Sequence, residues 1–538
     1  LGSGGGPLAG IGSLEGFLQG FGISVPLLPG QLLISRSVYT EPPSNIVPGV
    51  TVLPPGCTSG CATATTDATY PFVWDNDLAD GSFGITSKIF LDQVTPTGFP
   101  LSSIEVPNGT DRGVSPTSDQ MVTSFSSKSE LSLNLSTDGR DVTFMGYQAP
   151  VNAIDVSNSN TPGAVDPTNP DPQSFYRVVA QLDGSGKFHF TDTSAYSGNN
   201  GRAAILDNSG GADSIYTAGN AGNGANPQPT GVVLGAGAQI LAPAGVPQLA
   251  QFPGAPTPVA SFSVTQLGDK ADKIGKDDNF RGETVAGNVL YYTKGSGGNG
   301  VNTVYFVDTT GHACPNGTGL PAPGAALPSA PLAYNPATVA STGLPSNLCI
   351  LQGFPTQLAK NTTNSFPFGI WFANPTTLYV ADEGNGDTTY SPATGQYTGA
   401  AAQSTAGLQK WVLTDGSWHM AYVLQNGLKL GVPYTVGGYP TGTNAATGLP
   451  WAPATDGLRN ITGSVSRSGM ATIYAVTSTV SGNGDQGADP NKVVSITDNL
   501  AATTTLPASE SFATIKAAGS GEVLRGVSFT PGTFTAAP

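Results

Sequence analysis

The sequence predicts an all-β chain folded as a single β-propeller of six four-stranded blades, with seven as the alternative if a long insertion hides another. Two observations predict it. An apolar-Tyr strand end runs into a Gly-Asn-Gly loop four times: Ile215-Tyr216 before Asn223, Leu290-Tyr291 before Asn299, Leu378-Tyr379 before Asn385 and Ile473-Tyr474 before Asn483. The asparagines stand 76, 86 and 98 residues apart, too far for a solenoid repeat and suited to blades that carry long loop insertions. Gly and Pro also make up roughly a fifth of the 538 residues, while charged residues are 11%, against about 25% in an average soluble protein. Such a chain is rich in turns and poor in helix.

The elements follow in order. Residues 1–30 read as an apolar, Gly-rich N-terminal arm, in which Ser13 caps a short helix and Leu14, Phe17, Leu18 and Phe21 form one stripe. The ring does not need this stripe, which marks it as an assembly element. Residues 31–538 form the propeller. Its closing blade takes 31–107 plus 523–530, with strands at 31–35, 85–91 and 102–106 completed by a lone terminal strand at 524–529. Sharing one sheet between the two ends removes an open edge. The further blades span approximately 128–192, 200–265, 280–355, 366–427 and 457–516.

The fifth unit is the template, with strands at 368–372, 378–380, 408–413 and 419–424 and an Asp415-Gly416 hairpin turn. The second has strands at 131–135, 142–145, 176–179 and 188–190. The third has 202–205, 215–216, 232–234 and 260–264, the fourth 281–282, 290–292 and 304–307, and the sixth 458–461, 473–476, 493–496 and 512–515. The stretch Leu378-Tyr379-Val380-Ala381-Asp382-Glu383-Gly384-Asn385-Gly386 resembles the repeat of NHL and gluconolactonase-like propellers, over those nine residues. The resemblance implies a six-bladed ring. It transfers no catalytic residue, because the calcium ligands of the lactonase-like enzymes have no matching motif here.

Net charge −15 excludes nucleic acid and anionic membranes as natural partners, since both require a basic footprint. No run of eighteen apolar residues supplies a transmembrane helix. Four cysteines in two close pairs predict the disulfides Cys57–Cys61 and Cys314–Cys349, one of three possible connectivities, in an oxidising compartment. Leu1 reads as the start of a mature chain after removal of a signal peptide, or as a truncation point. Sequons at Asn108, Asn134, Asn316, Asn361 and Asn460 are candidate glycosylation sites.

Two groups of residues carry potential site chemistry. Arg202, Arg281, Arg459 and Arg525 open four inner strands and converge at one channel mouth, as ligand-binding forks for an anion or sugar or as tethers between blades. Asp382, Glu383, Asp387, Asp485 and Asp489 lie in Gly-Asn-Gly loops of the same face and are the candidate calcium ligands. No catalytic residue is assigned. There is no Gly-x-Ser-x-Gly elbow, and His189, His312 and His419 are scattered.

The expected protein is therefore secreted and extracellular, a non-enzymatic propeller that assembles with itself into a surface layer or filament, with no cofactor or with calcium. The alternatives are a calcium-dependent hydrolase of lactonase or phosphoesterase type at the channel mouth, and a glycan-binding module. For the cysteines, mass mapping of unreduced peptides should recover Cys57 joined to Cys61 and Cys314 joined to Cys349; a cross-pair would refute the assignment.

Overall fold

A computed structural model describes residues 26–39, 47, 49–53, 58, 62–63, 84–108, 121–125, 131–165, 172–220, 237–250, 279–296, 300–314, 316–329, 348–361, 365–445, 447–483 and 486–533. They form six blades in a ring, and the seven-bladed alternative does not hold. Blade 1 is shared by the two ends of the chain, in the order Glu522–Phe529, Leu32–Val38, Thr86–Val94, Pro100–Glu105. Its terminal strands pair antiparallel from Leu32↔Phe529 to Val38↔Glu522. Arg36 locks the seam with ion pairs to Asp92 and Glu522, each at 2.7 Å.

Blade 2 runs Asn134–Leu135, Asp141–Tyr147, Arg177–Asp183, Phe188–Thr193. Blade 3 has three described strands, Gly201–Asp207, Ser214–Gly219 and Ala238–Leu241; the strands expected at 232–234 and 260–264 lie outside the described residues. Blade 4 orders Phe280–Ala286, Val289–Lys294, Thr303–Val307 and Leu348–Leu351, with Thr318–Gly319 added in parallel at its edge. Blade 5 is Pro367–Asn374, Thr377–Asp382, Gly407–Thr414, Ser417–Leu424. Blade 6 is Ala454–Val465, Met470–Val480, Lys492–Asn499, Ala513–Ala517. Helix among the described residues is minor, and no helix is long and apolar enough to cross a membrane.

Each blade is covered on both faces by its neighbours, so the middle strands of blade 4 are buried throughout. Val289–Lys294 and Thr303–Val307 are buried at every position, whereas the outer strand Ala513–Ala517 has no buried residue. The core is consequently a set of seams. Leu33 and Leu91 meet Phe144 and Val178 between blades 1 and 2, and Tyr379 and Leu408 meet Leu458 and Ile473 between blades 5 and 6. Tyr474 and Val493 meet Ile34 and Val527 where the ring closes.

At the axis the inner strands touch in cyclic order, and backbone meets backbone. A β-carbon on Gly282, Gly369 or Gly526 would stand closer than 3.0 Å to the carbonyl oxygen of Phe368, Arg459 or Leu131 respectively, each on the next blade. Blade 6 fills the equivalent place with Asn460, whose Oδ1 accepts the Val527 N–H at 2.7 Å and the Leu133 N–H at 3.4 Å.

Cys314 and Cys349 form a disulfide with Cα atoms 5.9 Å apart. Cys349 belongs to the fourth strand of blade 4 and is fully buried, so the bridge pins an insertion onto the blade itself. Cys57, Cys61 and the arm residues Leu14, Phe17, Leu18 and Phe21 lie outside the described residues. The arm's junction is placed further back than expected: Leu27 is buried and donates its N–H to Gly184 O at 3.1 Å, so 26–30 belongs to the propeller body.

The axial contacts make a direct stability prediction. Gly369→Ala should lower the stability found by chemical denaturation by about 1–3 kcal/mol, because overpacking against a backbone carbonyl has no side chain to yield. Gly210→Ala, on an exposed turn with nothing within 4 Å, should stay within about 0.5 kcal/mol of wild type.

Candidate functional site

In a four-stranded antiparallel blade, the connection from second to third strand and the entry to the inner strand share one face. On that face Asp382 ends the second strand of blade 5 and is fully buried. Its carboxylate accepts the N–H groups of Phe366 at 2.9 Å and Gly384 at 3.0 Å, and Gln409 Nε2 donates to it at 3.2 Å. Glu383 follows and points sideways to both neighbouring blades. It lies 3.6 Å from Arg281 of blade 4 and 3.2 Å from Arg459 of blade 6, all three side chains about nine-tenths buried.

Gly384-Asn385-Gly386 then folds over Asp456 of blade 6. Gly386 donates its N–H to Asp456 Oδ2 at 2.9 Å, and Gln403 Nε2 donates to Oδ1. Gly384 adopts φ +83° with its α-carbon against the Asp456 carboxylate, where any side chain would collide. The repeat motif is thus a lid over a buried acid in the one copy wholly within the described residues; residues 222–224, 298–299 and 484 are outside them.

Burial pushes Asp382 up from 3.8 to about 7, opposed by its N–H donors and reinforced by the charges of Glu383 and Asp456. Asp456 rises from 3.8 to about 7, again chiefly through burial. Burial also lowers the affinity of Arg281 for its proton, partly offset by Glu383 and deepened by Arg459.

The other arginines make equivalent joints. Arg202 of blade 3 donates to Phe280 O of blade 4 at 3.2 Å and to the Asn279 side chain. Arg525 of blade 1 donates to Ser37 Oγ at 3.1 Å, to Ser124 O at 3.3 Å and to Phe125 O. Arg202, Arg281 and Arg459 engage a neighbouring blade, whereas Arg525 engages its own sheet through Ser37 and the added strand at Ser124.

The acidic residues singled out from the sequence do not form one cluster. Asp387 caps its own loop, accepting the Thr389 N–H at 2.8 Å and Oγ1–H at 2.6 Å. Asp489 is buried elsewhere, accepting Tyr439 OH at 2.7 Å and Ser481 Oγ–H at 3.0 Å; Asp485 lies outside the described residues. Among the described residues, the group with three metal-ligand side chains within 4.8 Å is Asp308 with Cys314 and Cys349, whose sulfurs form the disulfide. His189 and His419 are exposed on outer strands, and exposed His312 sits 3.0 Å from Thr310 O.

Three sequon asparagines are committed to the fold. Asn460 is buried at the axis, Asn134 donates to Ala204 O at 3.0 Å, and buried Asn108 donates to Glu105 Oε1 at 2.7 Å. Asn316 and Asn361 are exposed.

Two features were missed from the sequence. One is Asp456, invisible as a partner of the Gly-Asn-Gly loop because it lies 71 positions beyond Asn385 on another blade. The other is the fully buried pair Lys410–Asp498, 2.8 Å apart, with the Tyr422 hydroxyl donating to Asp498 at 2.7 Å and Tyr379 donating too. Their signal was charge inside apolar strands of a chain with so few charges. The opposite channel mouth opens into a cavity of about 450 Å³ lined by, among others, Leu135, Val285, Trp371, Thr462 and Ser528.

No protein-family model matches this chain, neither an NHL nor a gluconolactonase-like one, and no curated protein matches it. Similar solved structures include an ulvan lyase of polysaccharide lyase family PL25 bound to a -[GlcA(1-4)Rha3S]- saccharide. It is 8% identical over 94% of this chain and 97% of that one, with a TM-score of 0.30. A second structure of a PL25 ulvan lyase is 9% identical over the same shares, with a TM-score of 0.28. Neither identity nor superposition reaches the level at which function transfers.

Because the folded values of Asp382 and Asp456 stand above 3.8, the folded chain retains protons that the unfolded chain releases. Their contribution to stability is complete below 3.8 and is lost as pH rises through about 7. Denaturation midpoints followed from about pH 4 to about pH 8 should show wild type losing stability relative to Asp456→Asn. Parallel profiles for the two proteins would contradict the assignment.

Proposed function

We propose that this chain is a secreted, non-enzymatic interaction propeller that assembles with copies of itself through the arm ahead of residue 26. One observation carries this reading: the charged residues of the arginine mouth are spent on joining blades. Arg281 and Arg459 share Glu383, Arg202 holds the backbone oxygen of Phe280 on the neighbouring blade, and Arg525 holds oxygens of Ser37 and Ser124 within the closing sheet. A Cys314–Cys349 disulfide suits an oxidising compartment. Calcium and glycans stay as candidate ligands, with Asn316 and Asn361 the accessible sequons.

A hydrolase at the same mouth is the second reading. It is favoured by two adjacent carboxyl groups that titrate near 7, the range in which general acid and base catalysis operates.

The deciding measurement is particle size by light scattering on the natively purified protein. Full-length chain should assemble, while a chain lacking residues 1–25 should be monomeric with an unchanged melting temperature. Leu27 must be kept, because it is buried in the propeller. Assembly by the truncated chain would sink the first reading, as would turnover of a lactone, phosphoester or glycan that disappears with chelator and with Asp382→Asn.

A further inference from the structure

The inner strand of blade 4 carries a carboxylate into the centre of the ring. Glu283 is 3% exposed, and neither of its side-chain oxygens makes a hydrogen bond of good geometry. It borders a space of about 10 Å³ lined also by Ser132, Ala203, Phe368 and Asn460, so blades 2 to 6 all reach it. The hydroxyl of Ser132 is buried without a partner.

The cationic groups nearby are engaged elsewhere. Arg281, two residues earlier on the strand, pairs with Glu383 at 3.6 Å. Lys294 donates to Ser296 O and Asn302 Oδ1, each at 3.0 Å. The hydroxyl of Tyr292, opposite Glu283 in the ladder, lies within reach of the carboxyl and favours its charged form, and it also approaches Thr217 O at 3.5 Å; it supplies no positive charge. Burial holds Glu283 well above the usual carboxylate range. A carboxylate in this setting is either neutral or balanced by a cation from outside the chain.

We propose that the axial space binds one dehydrated monovalent cation of sodium's size, held by Glu283 and the Ser132 hydroxyl, with neighbouring amide and carbonyl oxygens completing the shell. The volume matches a single water-sized occupant. Hard oxygen donors suit a hard cation. Charge selects its valence: the space presents one carboxylate, which balances one positive charge, whereas a divalent ion would leave a net charge buried. The ion would sit where five of the six blades meet at the axis, a role separate from assembly through the arm.

The test is thermal unfolding of the full chain in sodium chloride and in choline chloride at equal ionic strength. Sodium should raise the melting temperature saturably, by on the order of 2 °C, and Glu283→Gln should abolish the difference between the salts. Should that variant fail to fold, Ser132→Ala should shift the midpoint of the sodium response to about tenfold higher concentration. Superimposable wild-type curves in the two salts would overturn the proposal, as would a Glu283→Gln protein that keeps the sodium response. A saturable response to calcium chloride with none to sodium would overturn the monovalent assignment.

Discussion

Everything in this ring depends on how closely six inner strands approach one axis. At Gly282, Gly369 and Gly526 the next blade's carbonyl occupies the place of a side chain, so each of these strands needs a residue without a β-carbon at one height. Blade 6 meets the same constraint differently, with Asn460 bridging the backbones of blades 1 and 2 instead of leaving room for them. Once that height is set, neighbouring residues fall into register around the ring. The residue before the small position is arginine in blades 1, 4 and 6, and all three lie on the same mouth.

Those arginines show how a chain with few charges uses them. Taking an ion out of water costs several kcal/mol, which a partner must offset, and for Arg281, Arg459, Lys410 and Lys516 the partner sits on the adjacent blade. Glu383 serves two arginines from two neighbours, Lys410 of blade 5 pairs with Asp498 of blade 6, and Asp92 gathers Arg36 and Lys516. An apolar seam tolerates sliding, because dispersion and burial have little directionality. A buried ion pair tolerates none, since a slipped register leaves a charge without its partner. The pairs therefore specify which blade follows which, over and above the stability that the seams of Leu, Val, Ile and Tyr provide.

The blade order, the closing seam and the extent of most strands were legible because a blade is local. Four consecutive strands joined by short turns leave a periodic trace, and the lone terminal strand at 522–529 announced its missing partners. Blade 3 resisted, since a long Gly-Pro-Asn-rich insertion separates its second strand from Ala238–Leu241 and offers no alternation to place it. The site was legible only in half. Arg281, Arg459, Asp382 and Glu383 could be nominated from repeated position and loop composition, but the acid that the Gly-Asn-Gly loop covers, Asp456, belongs to the next blade.

By itself the sequence determined the all-β class, the repetition of blades and the ring closure, because each is written in spacing along the chain; it nominated six blades over seven and Cys314–Cys349 among three pairings, which the tertiary structure then decided. Tertiary structure alone decided which charges meet. It set candidate metal ligands Asp382, Asp387 and Asp489 as hydrogen-bond acceptors on separate partners, buried the sequon at Asn460, and carried the carboxyl of Glu283 into the axis. The reason is geometric. Apart from the closing blade, whose strands come from the two ends of the chain, contacts within a blade join residues tens of positions apart or fewer, whereas the axis and the seams join residues one blade or more away, at distances that insertions of variable length erase from the sequence.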